Sequence, residues 1–95
     1  MDQQSSSERN HPFADLLGLK IDSSSQGVCE NSMKFDEKLL NPNGVIHGGA
    51  IYTLADTGMG GALHSVLSDT ETCSTIELKI TYFSAAKRSD LRCKS

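Results

Sequence analysis

The feature that most constrains the fold is a helical pattern that begins at Gly48 and runs to about residue 67. Small or apolar residues recur at i, i+3, i+4, i+7, i+11 and i+15, which places them on one stripe of an α-helix: Ile51, Leu54, Ala55, Gly58, Ala62 and Val66. Three glycines lie inside the pattern, and each destabilises a helix by about 0.5–1 kcal/mol relative to alanine. We therefore expect a central, buried helix whose backbone another element, such as a sheet, approaches closely.

Strand signals lie on both sides of this helix. Residues 72–83 alternate polar and apolar side chains with a period of two, which predicts a strand with one apolar face. Residues 19–24 and 28–35 flank Gln26-Gly27 and are predicted to form two strands around a turn. A further strand is predicted to begin at Asp90.

Shorter elements are indicated by their terminal residues. Pro12 is placed to begin a short helix that Gly18 ends. Asp36 is placed to cap a helical turn, and the run from Asn41 to Gly44 is a strong turn signal. The polar residues 1–10 are predicted to be a disordered tail, so that residues 11–95 form the domain.

Length and composition predict one small domain with a thin core. The chain has 95 residues, 37% of them apolar and none of them Trp, so a partner subunit would help to bury enough surface. A net charge of −3 argues against nucleic acid or an anionic membrane as the main partner. The three cysteines form no C-x-x-C pair, so no metal site and no disulfide framework is indicated. Scattered thiols and the absence of an apolar N-terminal run suit the cytoplasm.

The carboxylate of Asp56 is the outstanding candidate for chemistry. It is the only formally charged residue between Lys38 and Asp69, and it lies within the apolar helical pattern. A carboxylate in such a setting either points to solvent or is held by partners, because an unpaired buried charge is neutralised. An exposed Asp on the polar edge of the helix is the simpler interpretation of this residue alone.

A glycine-rich turn leads into the start of the same helix, where Gly48 and Gly49 follow His47. Free backbone N–H groups and the positive end of the helix dipole make this a natural site for an oxyanion. Gly48 and Asp56 are eight residues apart, which is about 12 Å along a helix axis. They cannot act on one atom within one chain. Two antiparallel copies of the helix would bring Gly48 of one chain to Asp56 of the other. A site that uses both groups therefore predicts a dimer.

The combination of these residues resembles a known family. Asn41, the His47-Gly48-Gly49 triplet and Asp56, followed by the strand pattern Ser74 to Tyr82, are similar to the hotdog-fold acyl-CoA thioesterases of the phenylacetate-degradation and acyl-CoA thioesterase 13-like group. The resemblance covers the chain from about Pro12 onwards. It implies an α+β hotdog fold, in which an antiparallel sheet wraps around one long central helix, and a homodimer or homotetramer with active sites between subunits.

The resemblance also implies roles for individual residues. Asp56 matches the catalytic carboxylate, a general base or a nucleophile, and the Gly48 N–H matches the group that polarises the thioester carbonyl. Asn41 and His47 match positions that orient the thioester or the water, and Thr75 matches a hydroxyl beside that water. Gly49 and Tyr82 are the expected substrate contacts. No cofactor is implied, since the coenzyme A thioester is the substrate.

Structural roles remain open for three of these residues. Asn41 could simply form the turn, His47 could hold the loop through a backbone hydrogen bond, and Thr75 could be an ordinary strand residue. The sequence also departs from the family, whose members continue with two more strands after the one that begins at Asp90, so a C-terminally incomplete domain is expected. A non-catalytic acyl-CoA-binding or structural hotdog protein is therefore the alternative to an enzyme. A hotdog dehydratase is less favoured, because its His and acidic residue pattern is not found.

Overall fold

The computed structural model describes residues 11–95, and the tail predicted for residues 1–10 lies outside the described residues. The elements follow one another as α1 (Pro12–Leu17), β1 (Leu19–Ser25), β2 (Val28–Met33), a 3-10 turn (Glu37–Leu39), α2 (Gly48–His64) and β3 (Leu91–Lys94). Within residues 11–95, no helix is both long enough and apolar enough to cross a membrane. The three cysteines, all in this part of the chain, are free.

The three strands of the described residues form one antiparallel sheet in the order β1-β2-β3, with β2 in the centre. The predicted hairpin is confirmed. Gln26 and Gly27 connect its strands with φ angles of 53° and 83°. Positive φ at both central residues suits the right-handed twist of the hairpin, and glycine adopts it without strain. The strand predicted near Asp90 is confirmed as β3, which pairs with β2.

The two short helical elements are also as predicted. α1 begins at Pro12 and ends at Gly18, whose φ of 74° is the left-handed conformation that closes many helices. The side chain of Asp36 accepts a hydrogen bond from the backbone N–H of Lys38 and so caps the 3-10 turn. Together these segments close one end of the core, which comprises Ala14, Leu19, Met33, Leu39, Ile46, Ala50 and Leu54.

The buried face of α2 differs in detail from the predicted stripe. Its buried residues recur every four positions, at Ala50, Leu54, Gly58 and Ala62. Val66 lies beyond the end of the helix and is 59% exposed, so its inclusion in the stripe was wrong. The helix ends at His64 because Ser65 donates its hydroxyl to the carbonyl of Ala62, and its Oγ also accepts from the N–H of Gly27. Such side-chain bonds to the backbone compete with helix continuation.

The predicted close approach to the glycines of α2 is confirmed at Gly58 and Gly61. A Cβ on Gly61 would lie 2.8 Å from the Sγ of Cys29, and the hydroxyl of Ser24 donates to the Gly61 carbonyl over 2.9 Å. Burial raises the pKa of the Cys29 thiol, so it stays protonated and packs as a small apolar group. Gly60 differs, since no heavy atom of the described residues lies within 4 Å of its Cβ position.

These two neighbouring glycines give a matched stability test. Gly61→Ala is expected to lower the free energy of unfolding by about 1–2 kcal/mol, because overpacking against the sheet outweighs the better helix propensity of alanine. Gly60→Ala meets open space and is expected to raise it by about 0.5–1 kcal/mol. Urea denaturation of both variants measures the difference. Equal effects of the two substitutions would contradict the close packing of Gly61 on Cys29.

The prediction of a strand over residues 72–83 is wrong for this structure. A strand requires backbone hydrogen bonds to a neighbour, and none of the three strands in residues 11–95 pairs with this segment. Its apolar side chains are accordingly uncovered, with Ile76 99% and Phe83 93% exposed. Side-chain hydrogen bonds hold the segment along α2 instead, including one from the hydroxyl of Tyr52 to the carbonyl of Leu78 over 3.2 Å.

Candidate functional site

The first turn of α2 is organised by His47, which occupies the N-cap position. Its Nδ1 accepts a hydrogen bond from the N–H of Gly49 over 2.7 Å. In the neutral ring an accepting Nδ1 leaves the proton on Nε2, which is then a donor. The loop-holding role considered for His47 is thus present in the structure, and the Gly49 amide is occupied.

The amide of Gly48, the first residue of α2, remains available. No acceptor in the described part of the chain takes its N–H, although its carbonyl accepts the hydroxyl of Tyr82 over 2.9 Å. Gly48 and Tyr82 line a cavity of about 360 Å³ together with Ile46, Ile51 and residues 83–86. The helix dipole and an unpaired N–H therefore meet beside a cavity, as an oxyanion site requires.

Asn41 lies in the turn that precedes this site. Its Oδ1 accepts hydrogen bonds from the N–H groups of Asn43, over 2.9 Å, and Val45, over 3.4 Å. Its backbone N–H donates to the carbonyl of Val45. The turn-forming role considered for Asn41 is therefore present. The turn carries the chain from the core residue Leu39 into the start of α2.

Asp56 and Thr75 come together in the middle of α2. The hydroxyl of Thr75 donates to Oδ1 of Asp56 over 2.6 Å, although the two residues are 19 positions apart in the chain. Asp56 is half-buried, and it is therefore neither fully solvated nor enclosed. Its second oxygen, Oδ2, is not engaged by this bond and can accept a proton.

The Asp56–Thr75 pair lies at a cavity of about 450 Å³ between α2 and residues 73–78. Much of the lining is apolar and includes Met59, Leu63, Ile76 and Leu78. A carboxylate with a hydroxyl partner at the wall of a partly apolar cavity is suited to general base or nucleophilic chemistry on a bound molecule.

The structure thus gathers the predicted residues into two groups on one helix. The first group lies at the start of α2 and contains His47, Gly48, Gly49 and Tyr82, while Asn41 bonds only within the turn that precedes it. The second group is Asp56 with Thr75. Since the helix rises about 1.5 Å per residue, the two groups lie about 12 Å apart in one chain, as the spacing predicts.

Two features of this region were missed by sequence reasoning. The sequence predicts only that another element packs closely on Gly60, yet this residue lines the cavity beside Asp56. Asn31 was not considered at all, although it is 1% exposed and contacts α2. A signal for Asn31 existed, because it occupies the inward position between Cys29 and Met33, where period-two alternation predicts an apolar residue.

The bond from Thr75 gives a prediction for the site. Thr75→Val keeps the shape of the side chain but removes the hydroxyl, so the Asp56 carboxylate loses a donor. Because a hydrogen bond to a charged group is stronger than a neutral one, the kcat of a reaction that uses this carboxylate is expected to fall by about 10- to 100-fold in steady-state kinetics. Thr75→Ser retains the hydroxyl and should keep most of the activity. Equal losses in both variants would contradict a role for this bond.

Comparison with known proteins places the chain in a family. The sequence profile of the thioesterase superfamily matches residues 43–95. A Pseudomonas aeruginosa protein that is provisionally named an esterase is 33% identical over 85 residues, which cover 86% of this chain. The chain spans 62% of the length of that relative.

Two solved structures show the same architecture. A conserved protein of Pseudomonas aeruginosa is 31% identical and superposes with a TM-score of 0.87, covering 98% of this chain and 73% of that protein. A protein of Ralstonia eutropha JMP134 is provisionally named a thioesterase related to phenylacetic acid degradation. It is 27% identical with a TM-score of 0.80, covering 92% of this chain and 68% of that protein. The antiparallel sheet packed on one long helix confirms the predicted hotdog fold. The chain therefore belongs to the thioesterase superfamily.

Proposed function

We propose that this protein hydrolyses an acyl- or aroyl-coenzyme A thioester to the free acid and coenzyme A. The observation that carries the proposal is the hydrogen bond between Asp56 and Thr75 at the wall of a partly apolar cavity. It lies on the same helix as the unpaired amide of Gly48, so one element provides both a carboxylate and an oxyanion site.

In the proposed reaction the Asp56 carboxylate acts at the thioester carbonyl. As a general base, its free Oδ2 takes a proton from water while the water oxygen forms a bond to the carbonyl carbon. The carbon–sulfur bond then breaks, and the thiolate leaves and is protonated. As a nucleophile, the carboxylate would itself attack and form an anhydride that water opens. In both routes the Thr75 hydroxyl holds Oδ1 and fixes the direction of the carboxylate.

The oxyanion formed during either route is stabilised by the Gly48 N–H. Because Gly48 and Asp56 of one chain are about 12 Å apart, the two groups come from different subunits. We therefore propose a homodimer, or a tetramer built from such dimers, with α2 helices side by side and antiparallel. Each dimer would contain two shared sites. Light scattering coupled to size exclusion tests this, and a well-folded monomer with full activity would contradict it.

The acyl group is proposed to occupy the cavity beside Asp56. Its volume of about 450 Å³ suits an acyl group whose hydrocarbon or aromatic part lies against Met59, Leu63 and Leu78. Polar side chains, among them Thr75 and Glu77, form another part of the lining. The free thiols of Cys29, Cys73 and Cys93 fit a reducing compartment, and we propose the cytoplasm as the location.

A thiol-release assay over a panel of aliphatic and aromatic coenzyme A esters tests the function directly. We expect release of free coenzyme A with at least one ester of the panel, at a rate that depends on Asp56. A thermal shift assay on the same panel separates hydrolysis from binding. Stabilisation by the esters without thiol release would favour the non-catalytic acyl-CoA-binding alternative.

A further inference from the structure

Asn31 is a buried polar residue that contacts the helical turn on which Asp56 lies. It lies on β2, the central strand of the sheet in the described residues, and is 1% exposed. Its backbone is fixed on both sides, since Asn31 pairs with Ile21 on β1 and with Cys93 on β3. The side chain projects from this central strand toward α2, where it contacts Leu54.

The Asn31 side chain meets one turn of α2 at two points, through a hydrogen bond at the first and a close approach at the second. Its Nδ2 donates to the carbonyl of Leu54 over 3.0 Å. Its Oδ1 lies against Gly58, where a Cβ would be only 2.8 Å away. Leu54 and Gly58 are four residues apart, so they begin and end the helical turn that contains Asp56.

A residue that served only to fill space between the sheet and α2 would not be expected to bury an unpaired oxygen. Oδ1 of Asn31 has no hydrogen-bond partner within residues 11–95, and a buried acceptor without a partner destabilises a fold. Leucine has nearly the same shape and would bury no unpaired oxygen. However, a leucine methyl is larger than an oxygen atom and would press on Gly58, so the helix could not approach the sheet as closely. The amide thus allows a specific placement of the turn that an apolar residue would not.

We propose that Asn31 is a positioning residue for the reaction, and that it sets the rotation and height of the 54–58 turn so that the Asp56 carboxylate meets Thr75. The inference rests on the proposed function, in which Asp56 carries the chemistry. Its physical basis is that a misplacement of about 1 Å in a catalytic group can reduce the rate by up to about 100-fold.

Asn31→Leu tests this against a control from the same interface. The variant is expected to lower kcat by about tenfold with KM unchanged, while circular dichroism confirms that the fold is retained. Ser24→Ala is the control, since Ser24 also donates from the sheet to a carbonyl of α2, that of Gly61, but beyond Asp56. It should lower the unfolding midpoint and leave kcat unchanged.

Asn31→Asp provides a second variant should the leucine variant fail to fold. A protonated carboxyl can still donate to the Leu54 carbonyl, whereas an ionised one cannot, and burial raises the pKa of such a group. The ratio of its kcat to that of the unaltered protein should therefore rise toward one as the pH falls. A pH-independent ratio would overturn the inference.

The outcomes separate this inference from the proposed function. A kcat for Asn31→Leu within twofold of normal, or equal losses in the Ser24→Ala control, would overturn the positioning role while leaving the function intact. If the unaltered protein releases no thiol from any ester, the proposed function fails instead. In that case ¹³C NMR of the Asp56 side-chain carboxyl decides: a shift in Asn31→Leu but not in Ser24→Ala supports positioning, and an unmoved signal refutes it.

Discussion

Replacing Asp56 by asparagine is expected to lower kcat by about 10²- to 10⁴-fold, the range that a positioned general base contributes. The amide of asparagine has nearly the same shape but cannot take a proton from water, and it is a poor nucleophile. Its carbonyl oxygen can still accept the Thr75 hydroxyl that now bonds to Oδ1, so the local structure should be kept. Binding of the ester should be little affected, and the loss should appear in kcat rather than in KM.

Asp69→Asn is the matched control for this prediction. Asp69 lies on an exposed turn after α2. Its substitution removes the same charge from the chain as Asp56→Asn does. Steady-state kinetics, together with circular dichroism to confirm the fold, should show normal activity for this variant. If kcat of Asp56→Asn falls by less than tenfold, Asp56 is not the catalytic carboxylate, even though the chain has the fold of this family.

Replacing Gly48 by proline is the second large effect expected, with a fall in kcat of about 10²- to 10³-fold, the loss typical of removing one oxyanion donor. Proline deletes the backbone N–H and adds a Cβ and the rest of its ring at this position. Gly48 is the first residue of α2, where proline is well tolerated. The preceding residue, His47, has φ −59° and ψ 134°, which is the extended conformation that a following proline favours.

Gly48→Ala separates the lost N–H from the added Cβ. A Cβ at this position would lie 3.2 Å from the hydroxyl of Tyr82, so both variants introduce the same tight contact. Only proline removes the donor. We expect Gly48→Ala to retain most of its activity in the thiol-release assay, and equal losses in the two variants would show that the Tyr82 contact, not the N–H, is responsible.

The two inactive variants can also be combined to test the shared site. In a mixed dimer of Asp56→Asn and Gly48→Pro chains, one of the two sites has both groups intact and the other has neither. Random exchange of equal amounts makes about half of the dimers mixed, so about a quarter of the normal activity should return, given two-fold symmetry. If both groups acted within one chain, mixing would restore nothing.

Several elements were predictable because their signals are local. The hairpin turn at Gln26-Gly27, the helix boundaries at Pro12 and Gly18, and the cap at Asp36 each depend on residues close in the chain. The start of α2 at Gly48 was predictable for the same reason, whereas its end at His64 depends on Ser65 contacting Gly27.

The strand predicted over residues 72–83 shows the limit of such reasoning. Alternation in the sequence describes which side chains could share a face, but a strand forms only when a second strand meets it. In this structure the segment follows α2 and bonds to it through Thr75, Leu78 and Tyr82.

By itself, the sequence determined the long glycine-containing helix, the carboxylate of Asp56 and the 12 Å separation from Gly48, because helix geometry is fixed by residue count. The tertiary structure decided which partners those residues have. It placed Thr75 on Asp56, engaged Gly49 with His47 while leaving Gly48 free, and set Asn31 beneath the turn that carries Asp56. The bonds from Thr75 and Asn31 join residues 19 and 23 positions apart, and such pairings depend on packing that no local pattern in the chain encodes.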